Sequence, residues 1–218
     1  MIKRLFDLLF SSITLTVIFP FLGILYPLVK LDTPGAFFFR QKRMGLHGRV
    51  FRIFKIRTMH TCAENEERGI TTHNDPRITR IGGFLRKTKL DELPQFINVW
   101  LGHMSIVGPR PELSRYRDVN PEQWHEILSV RPGITDPASL EYFSEETLLP
   151  DDAAVDEVYR REILPAKQQL YLDYIKHRSF FTDIKIVLRT LKHIIFGVPH
   201  NPAKRDSGNA VHKKMDAL

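Results

Sequence analysis

Residues 8–29 carry no charge, and no other feature restricts the chain so strongly. An apolar run of about 20 residues, at ~1.5 Å per residue, is long enough to cross the hydrocarbon core of a bilayer as a helix. Three arrangements compete. A cleaved signal peptide fits the basic start Lys3-Arg4 but needs small residues at a cleavage site, whereas the run ends Leu25-Tyr26-Pro27-Leu28-Val29-Lys30. A straight helix would span the bilayer. A bent helix would enter it and return. Pro20 lies near the middle, where it removes one helix hydrogen bond and costs a straight helix about 3 kcal/mol, so a kink is expected. Ser11, Ser12, Thr14 and Thr16 can supply bonds near the bend. Lys3 and Arg4 precede the run, and Lys30, Arg40, Lys42 and Arg43 follow it, which favours both ends on the cytoplasmic face. A re-entrant helix over 1–30 is the expectation, with a spanning helix as its rival.

The remainder predicts one domain over 31–196 and a flexible, polar tail over 197–218. Thr33-Pro34-Gly35 is a turn. Residues 36–41 and 50–57 read as the arms of a hairpin around Gly45 and Gly48. Residues 61–76 predict a short helix and a loop. Pro94 and Gly102 bracket a short apolar helix. Residues 121–130 and 154–177 have helical patterns. The cleanest helix is 180–196, with Phe181, Ile184, Val187, Leu188, Leu191, Ile194 and Ile195 on one face and Lys185, Arg189 and Lys192 on the other. Such a helix either packs on a core or lies in a membrane interface, and the N-terminal run favours the interface. The fold class expected is α+β, mostly α: a re-entrant membrane helix, a small β-hairpin, and a helical catalytic core with interfacial amphipathic helices.

The formal net charge of +7 favours anionic partners: nucleic acid, anionic lipid or phosphorylated substrates. The apolar N-terminus and the lack of a nucleic-acid-binding motif argue against nucleic acid. The single cysteine, Cys62, excludes an internal disulfide framework.

Asp91 and Glu92 are adjacent and stand before a helix. Neighbours do not share a helix face, so they need not do the same job. Alone, acids at a helix start need no function beyond a favourable interaction with the helix dipole. Their context is unusual, with Arg77, Arg80, Arg86, Lys87 and Lys89 upstream and Arg110 downstream. Cations keep a carboxylate ionised and also bind phosphate, arginine in bidentate geometry. A carboxylate among arginines therefore suits phosphoryl transfer, either attacking or holding Mg²⁺.

The run Thr88-Lys89-Leu90-Asp91-Glu92-Leu93-Pro94-Gln95-Phe96-Ile97-Asn98-Val99, with Met104-Ser105-Ile106-Val107-Gly108-Pro109-Arg110-Pro111 after it, resembles the bacterial sugar transferase family, the monotopic polyprenyl-phosphate phosphoglycosyl transferases. Further elements agree in order: Lys3-Arg4-Leu5-Phe6-Asp7, Arg43-Met44-Gly45, Phe54-Lys55-Ile56-Arg57-Thr58-Met59, the stretch from Asn74 to Gly82, and Arg131-Pro132-Gly133-Ile134-Thr135. The resemblance implies a protein anchored by a re-entrant helix in the bacterial inner membrane, its active site on the cytoplasmic face. It implies transfer of a sugar 1-phosphate from a UDP-sugar to undecaprenyl phosphate, with release of UMP and a need for Mg²⁺, as the first membrane step of surface-polysaccharide or glycoconjugate synthesis. On this sequence Asp91 becomes the nucleophile, forming a covalent phosphosugar, and a Mg²⁺ contact. Glu92 becomes a second acid at the metal or a base for the acceptor. Arg86 and Arg110 become phosphate contacts, with Lys55 and Arg57 in the same pocket and Thr58 and Asp75 as weaker candidates. Membrane lipids are implied partners, and a homodimer is compatible. The rival reading is a catalytically silent, membrane-bound assembly homologue. Two departures stand out: Asp136-Pro137-Ala138-Ser139-Leu140-Glu141-Tyr142 replaces the Gly-Trp-Ala-Gln of many members, and His103 stands where they often have an acid. Sugar identity therefore does not transfer from better-known members.

Overall fold

The long uncharged run forms most of one helix, α1, Ile2–Asp32, which continues through Pro20 and Pro27. The structure, a computed structural model, describes residues 2–60, 70–72, 75–143, 145, 149–150 and 154–197. Most of the segment expected to hold a short helix over 61–76, and almost all of the expected tail, lie outside them. Ser11 Oγ donates to the Leu8 carbonyl at 3.1 Å and Thr16 Oγ1 to the Ser12 carbonyl at 2.9 Å, so these hydroxyls bond within the helix ahead of Pro20.

Both ends of α1 hold the same body. At its start Lys3 pairs with Asp183 and donates to the Val107 carbonyl at 3.0 Å. Arg4 Nη1 donates to the Val99 carbonyl at 2.7 Å. Buried Asp7 accepts from the Ser105 hydroxyl at 2.8 Å and the Ile106 N–H at 3.1 Å. At the other end Leu25 and Val29 pack with Phe37, Ile56 and Leu85. Asp32 accepts from the Ile81 N–H at 3.1 Å, satisfying an orphan donor in the first turn of α2, Arg80–Lys87. Between the ends Ile13, Val17, Phe19 and Ile24 are exposed. Asp7→Ala leaves the buried Ile106 N–H unpaired, and the expected cost is about 1–3 kcal/mol. Thermal unfolding in detergent reads it as a lowered Tm, with Asp7→Asn losing less.

Strands β1, Phe38–Met44, and β2, Val50–Ile56, form an antiparallel hairpin from Phe38↔Ile56 to Met44↔Val50. The first arm starts and ends later than the sequence pattern predicts, because buried Met44 continues the ladder to the turn. Asn98 sits in α3, Gln95–Trp100, and is fully buried. Its side chain accepts from the Phe54 N–H at 2.9 Å and donates to the Arg52 carbonyl at 2.8 Å. This fixes α3 against the free edge of β2, beside Lys55.

A second, parallel pairing joins β3, Ser105–Val107, to β4, Gly133–Thr135. Gly108 and Gly133 meet backbone to backbone: a Cβ on Gly133 would lie 2.2 Å from the Gly108 nitrogen. Only glycine permits that approach. The loop 108–112 is thereby held rigidly against β4.

The helical layer comprises α4, Pro121–Ile127; α5, Pro137–Glu141; α6, Val155–Val158; a π turn, Tyr159–Ile163; α7, Leu164–His177; and α8, Phe180–Phe196. Met44, Tyr116, Trp124, Ile127, Leu164 and Tyr171 make one core; Phe51, Ile53, Val99, Met104, Ile106 and Tyr174 make another. Helix α8 starts where Ser179 Oγ accepts from the Thr182 N–H at 3.1 Å, and Gly197 at φ 71° ends it. It buries only Asp183 and Ile186, while Phe181 is 83%, Leu188 60% and Ile195 68% exposed. Most of its apolar face thus meets no part of the described chain. The architecture is α+β and mostly helical, as expected, with two small sheets rather than one among the described residues.

Candidate active site

Asp91 and Glu92 lie on a single 3₁₀ turn, Leu90–Glu92, between α2 and α3. Lys89 enters it in the left-handed region at φ 57°, a conformation that costs a non-glycine residue about 1–2 kcal/mol. The reversal points the two acids differently. Asp91 is 5% exposed, and its Oδ1 is buried with no hydrogen-bond partner. Glu92 Oε1 accepts from Lys55 Nζ at 2.7 Å and from Arg110 Nη2 at 2.5 Å, and Arg110 Nη1 lies 3.4 Å from Oε2. Lys55 comes from β2 and Arg110 from the rigid loop after β3, so both sheets converge on one carboxylate.

The electrostatics separate the two acids. Burial acts to raise the Glu92 carboxyl, but Arg110 and Lys55 outweigh it and hold the group well below the usual carboxylate range. Burial pushes Asp91 up; Lys55 opposes this and Glu92 adds to it. Burial lowers the Lys55 ammonium, and Glu92 holds the Arg110 guanidinium well above its ordinary value.

Asp91 and Glu92 line a cavity of about 740 Å³. Lys55, Arg57, Arg86 and Arg110 all reach its wall, as does Thr58. Arg57 is buried and spends Nη2 on the Thr33 carbonyl at 2.6 Å, while its Nε and Nη1 have no hydrogen-bond partner. Asp75 is not part of this wall; it pairs with Arg77 at 2.5 Å. His103 packs its ring 5.7 Å from that of Phe51. The apolar part of the lining comes from three helices: Phe10 of α1, Phe96 of α3, and Val187, Leu191 and Ile194 of α8. Phe10 and Phe96 stack at 6.0 Å, joining α1 to the helix that follows the acids.

The residues fit a hard divalent cation in one respect. Mg²⁺ commonly takes one or two protein carboxylates and fills its shell with phosphate and water. Asp91 Oδ1 offers one such oxygen, whereas a Glu92 contact would have to replace an ion pair. Among the described residues no group of three or more His, Cys, Asp or Glu is placed to hold a metal.

The cavity also contains polar residues to which the sequence reading gave no role: Arg43, Glu112, Glu145, Tyr159 and Lys167. Arg43 falls within a motif segment and Glu112 directly follows one, but nothing in the pattern of α7 distinguishes Lys167 from a solvent-facing lysine.

A sequence profile described as bacterial sugar transferase matches residues 1–197. The UDP-glucose:undecaprenyl-phosphate glucose-1-phosphate transferase of Escherichia coli (strain K12) is 37% identical over 198 residues, covering 88% of this chain and 39% of its own length. The exopolysaccharide production protein PSS of Rhizobium leguminosarum bv. phaseoli is 36% identical over 198 residues, 87% of this chain and 93% of its own. The galactosyl transferase CpsE of Streptococcus agalactiae serotype III (strain NEM316) is 37% identical over 207 residues, 89% of this chain and 42% of its own. The chain spans about two fifths of the length of two of these relatives and most of the third.

Proposed function

The chain belongs to the bacterial sugar transferase family, and from that premise we propose that it transfers a sugar 1-phosphate from a UDP-sugar to undecaprenyl phosphate, releasing UMP. The observation that carries this reading is the site itself: a buried carboxylate oxygen without a partner, in a cavity that also takes Lys55, Arg57, Arg86 and Arg110 and is lined by apolar side chains of α1, α3 and α8. Relatives are named for transfer of glucose, galactose and N-acetylgalactosaminyl 1-phosphate, so the donor panel spans plain and N-acetylated sugars.

The chemistry runs in two displacements. An Asp91 carboxylate oxygen attacks the phosphorus that bears the sugar; the bond from that phosphorus to the bridging oxygen breaks, and UMP leaves with the electron pair. A phosphate oxygen of undecaprenyl phosphate then attacks the same phosphorus and displaces Asp91, forming the lipid diphosphate sugar. Two displacements let both substrates use one site. Arg110 and Lys55, fixed by Glu92, and Arg57 and Arg86 bind the phosphate oxygens and stabilise the charge that moves between them. Asp91 Oδ1 and the substrate phosphates would hold Mg²⁺, which supplies further neutralisation of the diphosphate. Glu92 is a poor base at its lowered pKa, and its ion pairs support a positioning role.

The acceptor's lipid tail stays in the bilayer, since each CH₂ removed from it costs about 0.8 kcal/mol. The reaction therefore belongs at the interface. Attachment of both ends of α1 to one body supports a helix that enters the cytoplasmic leaflet of the inner membrane and returns. The exposed apolar face of α8 supports an interfacial position beside it. The test is a donor panel: full-length protein in nanodiscs, undecaprenyl phosphate, and UDP-glucose, UDP-galactose and their N-acetylated counterparts. UMP release that needs Mg²⁺ is expected from at least one donor. Folded protein that releases UMP from none contradicts the proposal.

A further inference from the structure

The cavity has a second charged cluster that the two displacements leave unused. Lys167 Nζ lies 3.0 Å from Glu145 Oε2, 3.1 Å from the Tyr159 hydroxyl and 3.4 Å from Glu112 Oε1. Tyr159 donates to Glu112 Oε1 at 2.9 Å. Arg43 backs the cluster, donating to the Gln41 amide oxygen at 2.6 Å, with Nη1 3.9 Å from Glu112 Oε2. The side chains of Lys167 and Glu112 are 3% and 4% exposed and that of Glu145 is 24% exposed, and all three line the cavity.

Burying a lysine, a carboxylate and a phenol is a poor way to stabilise a fold, since well-packed apolar groups often do as well or better. Such a group in the wall of a reaction cavity calls for a ligand. Its position is informative: Glu112 is two residues beyond Arg110 on the same rigid loop, so the cluster begins where the phosphate-binding groups end. We infer that Glu145 and Lys167, supported by Glu112 and Tyr159, form the subsite that reads the hydroxyls of the donor's hexose. The inference rests on the transfer reaction proposed above. Donor and acceptor counts favour the hexose over the rest of the donor. Carboxylates, an ammonium and a phenol match several hydroxyls that both donate and accept. Uracil offers a single N–H, the ribose two hydroxyls against the four of the hexose, and the two carboxylates repel a phosphate.

The test uses full-length protein in nanodiscs with undecaprenyl phosphate, UDP-glucose and UDP-galactose as donors, and UDP as a competitive inhibitor lacking the sugar. Glu145→Gln keeps the shape and removes the charge. Its kcat/KM for the preferred donor is expected to fall about tenfold to a hundredfold. The preference between the two epimers shrinks with it, and inhibition by UDP is unchanged. Glu145→Asp keeps Lys167 paired but draws the carboxylate back; it is expected to lose part of the epimer preference with UDP inhibition intact, and it carries the test alone if the Gln variant does not fold. Parallel weakening of donor and UDP would assign the cluster to the nucleotide and overturn the inference. Unchanged kcat/KM and epimer preference overturn it as well. A folded wild type that turns over neither these donors nor their N-acetylated counterparts removes the transfer reading and the subsite together, whereas an active wild type with indifferent Glu145 variants removes the subsite alone.

Discussion

Asp91→Asn is expected to lower turnover with every donor by at least about a thousandfold, equivalent to ~4 kcal/mol of transition-state stabilisation, while the protein stays folded. An amide of the same shape cannot supply the anionic oxygen that attacks phosphorus. Stability should move the other way. Burial raises the Asp91 carboxyl, so the folded protein holds the ionised form less readily than the unfolded chain does. Such a group withdraws stability as pH rises through its unfolded and then its folded pKa, and at neutral pH a neutral isostere is at no disadvantage. The Tm of Asp91→Asn is expected to equal or slightly exceed that of the wild type, the signature of a site kept for chemistry at some cost to the fold. The same shift predicts that the first displacement slows on acidification with a midpoint above the ordinary aspartate value, measurable as UMP release in a single turnover.

Glu92→Gln is expected to have the opposite effect on stability and a large effect on rate. Glu92 is held below the usual carboxylate range, so its contribution is fully present above the unfolded pKa and is lost only as pH falls through the lower folded value. At neutral pH, removing the charge leaves the part-buried Lys55 and Arg110 without their anion. Losing charged hydrogen bonds in this way costs about 1.5–3 kcal/mol, or roughly 5 °C in Tm for a domain of this size. Both cations are also phosphate contacts in the proposed reaction, and an unfastened Arg110 loses its alignment. A fall of about a hundredfold in kcat/KM is expected, with Glu92→Asp retaining more of the rate than Glu92→Gln. Thermal unfolding and steady-state kinetics on the same preparation check both halves. Two adjacent acids thus give opposite stability changes on neutralisation, which a shared role at the helix start would not produce.

The sequence reading succeeded where one local rule governs. The 3.6-residue spacing of apolar residues marks α8, and the structure gives the same bounds, 180–196, with Ser179 as the cap and Gly197 at the end. Asp91 and Glu92 were conspicuous for their basic neighbourhood. Elements defined by distant contacts were not legible. Strands β3 and β4 have three residues each, and β3 is buried at every position, so no alternation marks it. The close approach of Gly108 to Gly133 resembles two ordinary breakers in the sequence. Lys167 lies far along the chain from Glu112, and only the packing of α7 against the loop after β3 brings them together. The division of labour between Asp91 and Glu92 also needed geometry, because the two cations that hold Glu92 come from β2 and from that same loop.

The covalent step is tested most directly by mass. Full-length protein in nanodiscs is mixed with its active UDP-sugar and Mg²⁺, without undecaprenyl phosphate, and digested for peptide mapping. One sugar phosphate on the peptide containing Asp91 is expected, formed with one equivalent of UMP, absent in Asp91→Asn, and discharged when undecaprenyl phosphate is added. Turnover that proceeds normally with acceptor, yet gives neither adduct nor UMP without it, would contradict the account.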